Sequence, residues 1–210
     1  MKLRFLQAYD IDTQLYELLK DSSSVLDVGC GRCSLLKDIK EAGMSIRSVG
    51  MDFYTPYVEK AREKGIHNDY VIHDIRKTFP FKDKEFGVAI AIEVIEHLKK
   101  EDSYNLLKEM ERVAQNCVII TTPNGFLEGV PGAEDNPEES HLSGWTAKEL
   151  RKLGFNVYGS NGLKFLRGNA GEIKLRPKKL FKIISAASRP FTYRFPSLAF
   201  QLFGYKVLKK

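Results

Sequence analysis

Glu93, Glu96 and His97 crowd into five residues at the end of an apolar run, and another histidine, His141, follows a long loop. Carboxylate and imidazole groups at that spacing can converge on one divalent cation, and oxygen and nitrogen ligands of this kind suit magnesium, manganese or zinc. Without a cation, histidine is suited to take a proton near neutral pH. Glu93, His97 and His141 are therefore the candidate catalytic residues. Glu96 joins them in the cation reading, and the metal is left open. A plainer reading stands beside these: Glu96 and His97 open a helix, whose positive end favours a carboxylate, and the cluster only shapes a pocket.

A second stretch with chemical potential lies near the start. In Val25-Leu26-Asp27-Val28-Gly29-Cys30-Gly31 a run of β-formers breaks at two glycines one residue apart. A glycine turn leaving a buried strand lets a ligand approach the backbone, and a following helix presents free N–H groups to it. The dinucleotide pattern G-x-G-x-x-G/A is not met, because Ser34 and Leu35 stand where a small third residue is needed. Asp27, within the strand, favours a cationic ligand over pyrophosphate. About twenty residues on, Gly50-Met51-Asp52 ends a second apolar run, where an acidic residue can accept ribose hydroxyls. Asp52 could otherwise simply cap the next helix.

The stretch V-L-D-V-G-C-G resembles the first motif of the class I S-adenosylmethionine-dependent methyltransferases, and the order of later elements extends the resemblance to about Gly159. The resemblance implies a Rossmann-like α/β fold: a seven-stranded, mostly parallel sheet with helices on both faces and an antiparallel last strand near Leu163 to Arg167. It implies S-adenosylmethionine as donor and S-adenosylhomocysteine as product. Asp27, Gly29, Cys30, Gly31, Asp52, Phe53, Asp74 and Ile75 would then hold the cofactor, with Asp74 by the adenine amino group and Ile75 against the ring. The E-x-x-E-H cluster is similar to one in small-RNA 2′-O-methyltransferases and ubiquinone-pathway O-methyltransferases.

Periodicity supplies the elements that must position these residues. Leu15, Leu18 and Leu19 fit a short amphipathic helix covering the start of the sheet, and Phe86 to Ile92 reads as a central strand covered on both faces. Asp102 to Ala114 has helical spacing, with Leu106, Leu107, Met110 and Val113 on one face. Val118 to Thr122 is the next strand. From Phe126 to Ser140 an acidic loop without Lys or Arg is a candidate lid. Thr146 and Glu149 form a capping box, and Trp145 reads as packing.

At 210 residues and 43% hydrophobic content the chain can bury a core. No stretch reaches the roughly 20 apolar residues a membrane span needs. Three cysteines make no disulfide framework, and Cys30-Gly31-Arg32-Cys33 lacks a second pair for zinc, so a cytoplasmic setting is expected. Lys164 to Lys210 carry twelve basic residues against Glu172 alone, a local net charge of +11 within a chain of +6.

Residues 1–167 are accordingly expected to form the methyltransferase domain, and 168–210 a basic, helical appendage removable without loss of donor binding. Its apolar stripe, Leu180, Ile183, Ile184 and Ala187, with a second after Pro190 (Phe195, Leu198, Ala199, Leu202, Phe203), reads as a cap packed on the domain, as a peripheral membrane contact or, from Phe191, Tyr193 and Phe195 among Arg189 and Arg194, as a nucleic-acid contact. The expected reaction is methyl transfer to a small-molecule or lipid-like acceptor, at oxygen. Two alternatives are an RNA-end 2′-O-methyltransferase and a donor-binding interaction protein without turnover.

Overall fold

In the computed structural model the described residues are 9–31, 35–128 and 139–209. The Cys33 end of the C-x-x-C and most of the expected lid lie outside them. The elements run α1 (Ile11–Leu19), β1 (Ser24–Val28), α2 (Leu35–Glu41), β2 (Arg47–Asp52), α3 (Thr55–Glu63), β3 (Asp69–Ile72) and β4 (Phe86–Ile92). They continue through α4 (Lys100–Val113), β5 (Ala114–Pro123), α5 (Ala147–Lys152), β6 (Asn156–Leu163), α6 (Lys178–Ala187), α7 (Arg189–Arg194) and β7 (Ala199–Val207). The seven strands form one sheet in the order β3-β2-β1-β4-β5-β7-β6. β1 to β5 pair in parallel, and β7 runs antiparallel to both β5 and β6.

Alternation along the strands divides the core between the two faces of the sheet. Leu26, Val28, Ala89, Ala91, Val118 and Ile120 face α4, where Leu106, Leu107, Met110 and Val113 are buried. Val25, Val88, Ile90 and Ile119 face Leu15 and Leu19 of α1 and Leu36 and Ile39 of α2. Full burial of each such side chain is worth about 1.5–3 kcal/mol, so the helices are fixed by packing more than by their own propensity. Trp145 is fully buried and donates its indole N–H to Ser143 Oγ at 3.1 Å, the packing role its sequence context indicates. The Thr146–Glu149 capping box is present on α5.

The carboxyl-terminal region departs from the sequence expectation. The antiparallel last strand is Ala199–Val207, whereas Lys164–Leu166 form a 3-10 turn. Ala199, Leu202 and Phe203, taken as part of a helical stripe, are buried strand residues. Residues 168–210 are thus not an appendage: β7 completes the sheet between β5 and β6. Short-range periodicity did not show this because β7 is defined by partners more than 35 residues away, Asn156–Leu163 and Ala114–Pro123. A buried side chain of Asn124 ties the two regions, donating to the carbonyls of Pro196, Ser197 and Ala199 at 3.0, 3.0 and 2.8 Å.

Candidate active site

In an open, mostly parallel sheet, ligands bind outside the carboxyl ends of the strands where the order reverses. Here that point lies between β1 and β4, and a cavity of about 680 Å³ opens there. β1 leads into the glycine turn, β2 ends in Asp52, β4 stops one residue before Glu93 and β5 ends at Pro123. Because β7 is antiparallel, its first residues arrive at the same edge, bringing Phe200 and Gln201 to the cavity wall.

The turn after β1 needs its glycines. Gly29 and Gly31 have φ of +68° and +53°, and a Cβ on Gly29 would lie 2.7 Å from Val94 Cγ2. Gly29 N–H donates to Met51 O at 2.7 Å, and Gly31 N–H donates to Asp52 Oδ2 at 2.9 Å. Asp52 Oδ1 accepts the N–H of Tyr54 at 2.9 Å. Burial raises the Asp52 pKa, and these backbone N–H groups oppose the rise. One carboxylate therefore joins the glycine turn to the end of β2 and lines the cavity.

Gly29, Cys30, Gly31, Asp52, Phe53, Asp74 and Ile75 all line this cavity. Asp27 does not: it is 2% exposed, and its Oδ2 lies 3.4 Å from His67 Nε2. The reason is its register within β1, opposite Gly50 and Ile90, two residues short of the turn. Asp74 is held by Arg76, whose Nε is 2.8 Å from Oδ1, and this ion pair lowers the Asp74 pKa.

Opposite the glycine turn, the residues after β4 form the polar cluster. Glu93, Glu96, His97 and His141 all line the cavity. Glu93 has φ +55°, and its Oε1 accepts the Thr121 hydroxyl at 2.8 Å. Ligand atoms of Glu96, His97 and His141 lie within 4.8 Å of one another, and the two imidazoles meet edge to face at 4.9 Å. Glu96 is 1% exposed, and its carboxylate oxygens are buried beside the Thr122 hydroxyl, with no hydrogen bond of ordinary geometry among the described residues. Burial, and then the charge of Glu93, push its pKa well above the ordinary value. Burial lowers both imidazoles, and His97 further lowers His141. The structure thus brings His97 and His141 together with Glu96, while Glu93 is engaged by Thr121.

Residues 26–120 match the methyltransferase-domain family model. Among curated proteins the chain is 25% identical over 130 residues to the ubiquinone biosynthesis O-methyltransferase of Rickettsia bellii, covering 59% of this chain and 51% of that protein. A Rattus norvegicus mitochondrial arginine-hydroxylase, NDUFAF5, is 24% identical over 169 residues, 77% of this chain and 45% of that protein. A solved S-adenosylmethionine-dependent methyltransferase from Archaeoglobus fulgidus has the same fold, with TM-score 0.60 and 18% identity over 93% of this chain and 90% of that one. Residues 26–120 are thus similar to the methyltransferase-domain family, and the fold is that of a solved S-adenosylmethionine-dependent methyltransferase. It spans about half the length of the curated relatives it matches.

The glycine turn with Asp52 fits S-adenosylmethionine: close backbone approach beside an acidic residue at the end of β2. Several cavity residues carry no motif. Glu139 accepts the Tyr57 hydroxyl at 2.5 Å, joining the end of the acidic loop to α3. Arg167, Phe200 and Gln201 reach the cavity only because β7 folds back into the sheet. Only the E-x-x-E-H spacing signalled Glu96, and nothing local signalled the others.

Proposed function

We propose that this methyltransferase acts on an oxygen of a small-molecule or lipid-like acceptor, with a divalent cation held by Glu96, His97 and His141. The observation that carries the reading is the convergence of the buried Glu96 carboxylate, which has no hydrogen bond of ordinary geometry, with two imidazoles whose burial favours the neutral, ligating form. One carboxylate and two imidazoles suit magnesium, manganese or zinc. Such a cation, when bound, lowers the pKa of an acceptor hydroxyl and aligns it. The similarity to an O-methyltransferase over 59% of the chain supports oxygen as the attacking atom.

The chain's own residues do the rest. The Gly29–Gly31 turn admits the donor against bare backbone, and Asp52 is placed to hold its ribose. Phe53, Ile75 and Leu127 line the cavity with apolar surface. Excluding water there favours alignment of oxygen, methyl carbon and sulfur. A second reading, transfer to a ribose hydroxyl at an RNA end, is favoured by Arg167 in the cavity wall, with Lys178, Lys182 and Arg189 beside it. Its phosphate contacts would make binding fall steeply with salt.

The test is manganese titration by calorimetry into the full chain with saturating S-adenosylhomocysteine. One-site binding is expected in the wild type and a loss of at least about tenfold in Glu96→Gln, the scale of change seen when metal ligation is perturbed. Equal binding by both proteins, or none by either, overturns the cation site.

A further inference from the structure

A surface helix ordinarily turns its apolar stripe toward the core. α6 does the reverse. It buries Ser185 against the sheet and leaves Leu180, Ile183 and Ile184 exposed by 49, 67 and 38%. α7 and the turn after it bury Thr192 and Pro196 and expose Phe191, Phe195 and Leu198 by 50, 51 and 46%. β6 is shaped for this seating. A Cβ on Gly162 would lie 2.4 Å from the Ser185 carbonyl oxygen, and one on Gly159 would lie 2.2 Å from that of Thr192. The helices therefore rest on bare glycine backbone through small polar residues, and six large apolar side chains point away from the protein. The apolar stripe does not pack on the domain as a cap.

Charge narrows what covers this face. Lys178, Lys179, Lys182 and Arg194 are exposed around it, and the sequence has no Asp or Glu from Ile173 to Lys210. A second copy would bring two regions of net charge +11 together, which repel. RNA would leave the aliphatic Leu180, Ile183 and Ile184 without bases to stack on, since stacking needs aromatic faces. An anionic bilayer satisfies both features, because apolar side chains enter the acyl boundary while lysines meet lipid phosphates. We propose that the outer face of α6 and α7 docks the methyltransferase onto an anionic membrane surface.

A smaller cavity of about 430 Å³ beside the stripe is lined by Arg167, Lys178, Lys182 and Arg189, and Arg167 and Gly171 also line the main cavity. The docking face and the acceptor pocket thus share a wall, so a lipid-like acceptor taken from the surface has a short route in. Docking itself does not depend on which atom is methylated.

The experiment is co-sedimentation of the full chain with phosphatidylcholine vesicles, with and without about one-third phosphatidylglycerol. The expected result is binding to the mixed vesicles, weakened by salt, with neutral vesicles binding at least about tenfold more weakly. Ile183→Asp with Phe195→Asp, and separately Lys178→Glu with Lys179→Glu and Lys182→Glu, should each weaken binding by about tenfold or more. These residues are exposed, and unchanged S-adenosylhomocysteine affinity would show that each variant is folded with an intact donor site. Failure of the wild type to bind mixed vesicles, or binding indifferent to both sets of changes, overturns the proposal. So does a dimer in analytical ultracentrifugation that Ile183→Asp dissociates, or salt-sensitive RNA binding lost in the lysine variant while vesicle binding persists.

Discussion

The donor half of the molecule, β1 to β3, and the half from β5 to β7 reach the same cavity by opposite means. In the first half each functional group sits at the end of its own strand, and neighbours in the sheet are linked by short crossovers. In the second half the wall is completed by β7, which pairs with β5 at Cys117↔Val207 through Pro123↔Gln201 after a long excursion. Local construction leaves a motif. Construction by distant pairing leaves only the ordinary pattern of a buried strand.

The largest effect separates the two halves directly. Deleting residues 196–210 removes the strand between β5 and β6 and leaves their inner edges unpaired. The expected outcome is no folded protein by circular dichroism, since the loss exceeds the usual net stability of about 5–15 kcal/mol. A truncated chain that melts cooperatively and binds S-adenosylhomocysteine would show the carboxyl-terminal region to be separable after all.

A smaller effect is confined to the donor half. Asp52→Ala removes the acceptor of the Gly31 and Tyr54 N–H groups, and with it the carboxylate proposed to hold the donor's ribose. S-adenosylhomocysteine affinity should fall by about 1.5–3 kcal/mol, the range of one charged hydrogen bond, with the fold retained. Affinity unchanged in calorimetry would remove Asp52 from the site.

The smallest tests a tie between the helix before β5 and the helix before β6. Glu149 of the α5 capping box pairs with Lys100 of α4, and this pairing holds its carboxyl below the ordinary value. A depressed folded-state pKa contributes stability above the unfolded value, about 4.3, which is lost as pH falls through the folded value. Because the pair is partly exposed, the contribution is under about 1 kcal/mol. Glu149→Gln should therefore lower Tm slightly at pH 7, and the difference should vanish in acid. A difference that grows in acid would reverse the sign of the coupling.

The same contrast explains what could be read in the chain alone. Gly29, Gly31 and Asp52 were legible as cavity residues because a glycine turn and an acid at the ends of neighbouring strands constrain residue types at fixed spacing. Glu93, Glu96 and His97 were legible as a cluster, yet their different surroundings were not: these depend on Thr121, which takes Glu93, and on the burial of Glu96 beside Thr122. Asp27 looked like a ligand by its place in the motif and proved to face His67, since the strand's register decides which side chains reach the turn. Phe200 and Gln201 carry no motif, and their place follows only from antiparallel pairing.

The assignment of the polar cluster can be tested most directly by anomalous diffraction from crystals grown with manganese and S-adenosylhomocysteine. The account expects a peak within about 2.0–2.4 Å of Glu96, His97 and His141 together. A structure with the donor product bound and the manganese peak elsewhere, or absent, would contradict it.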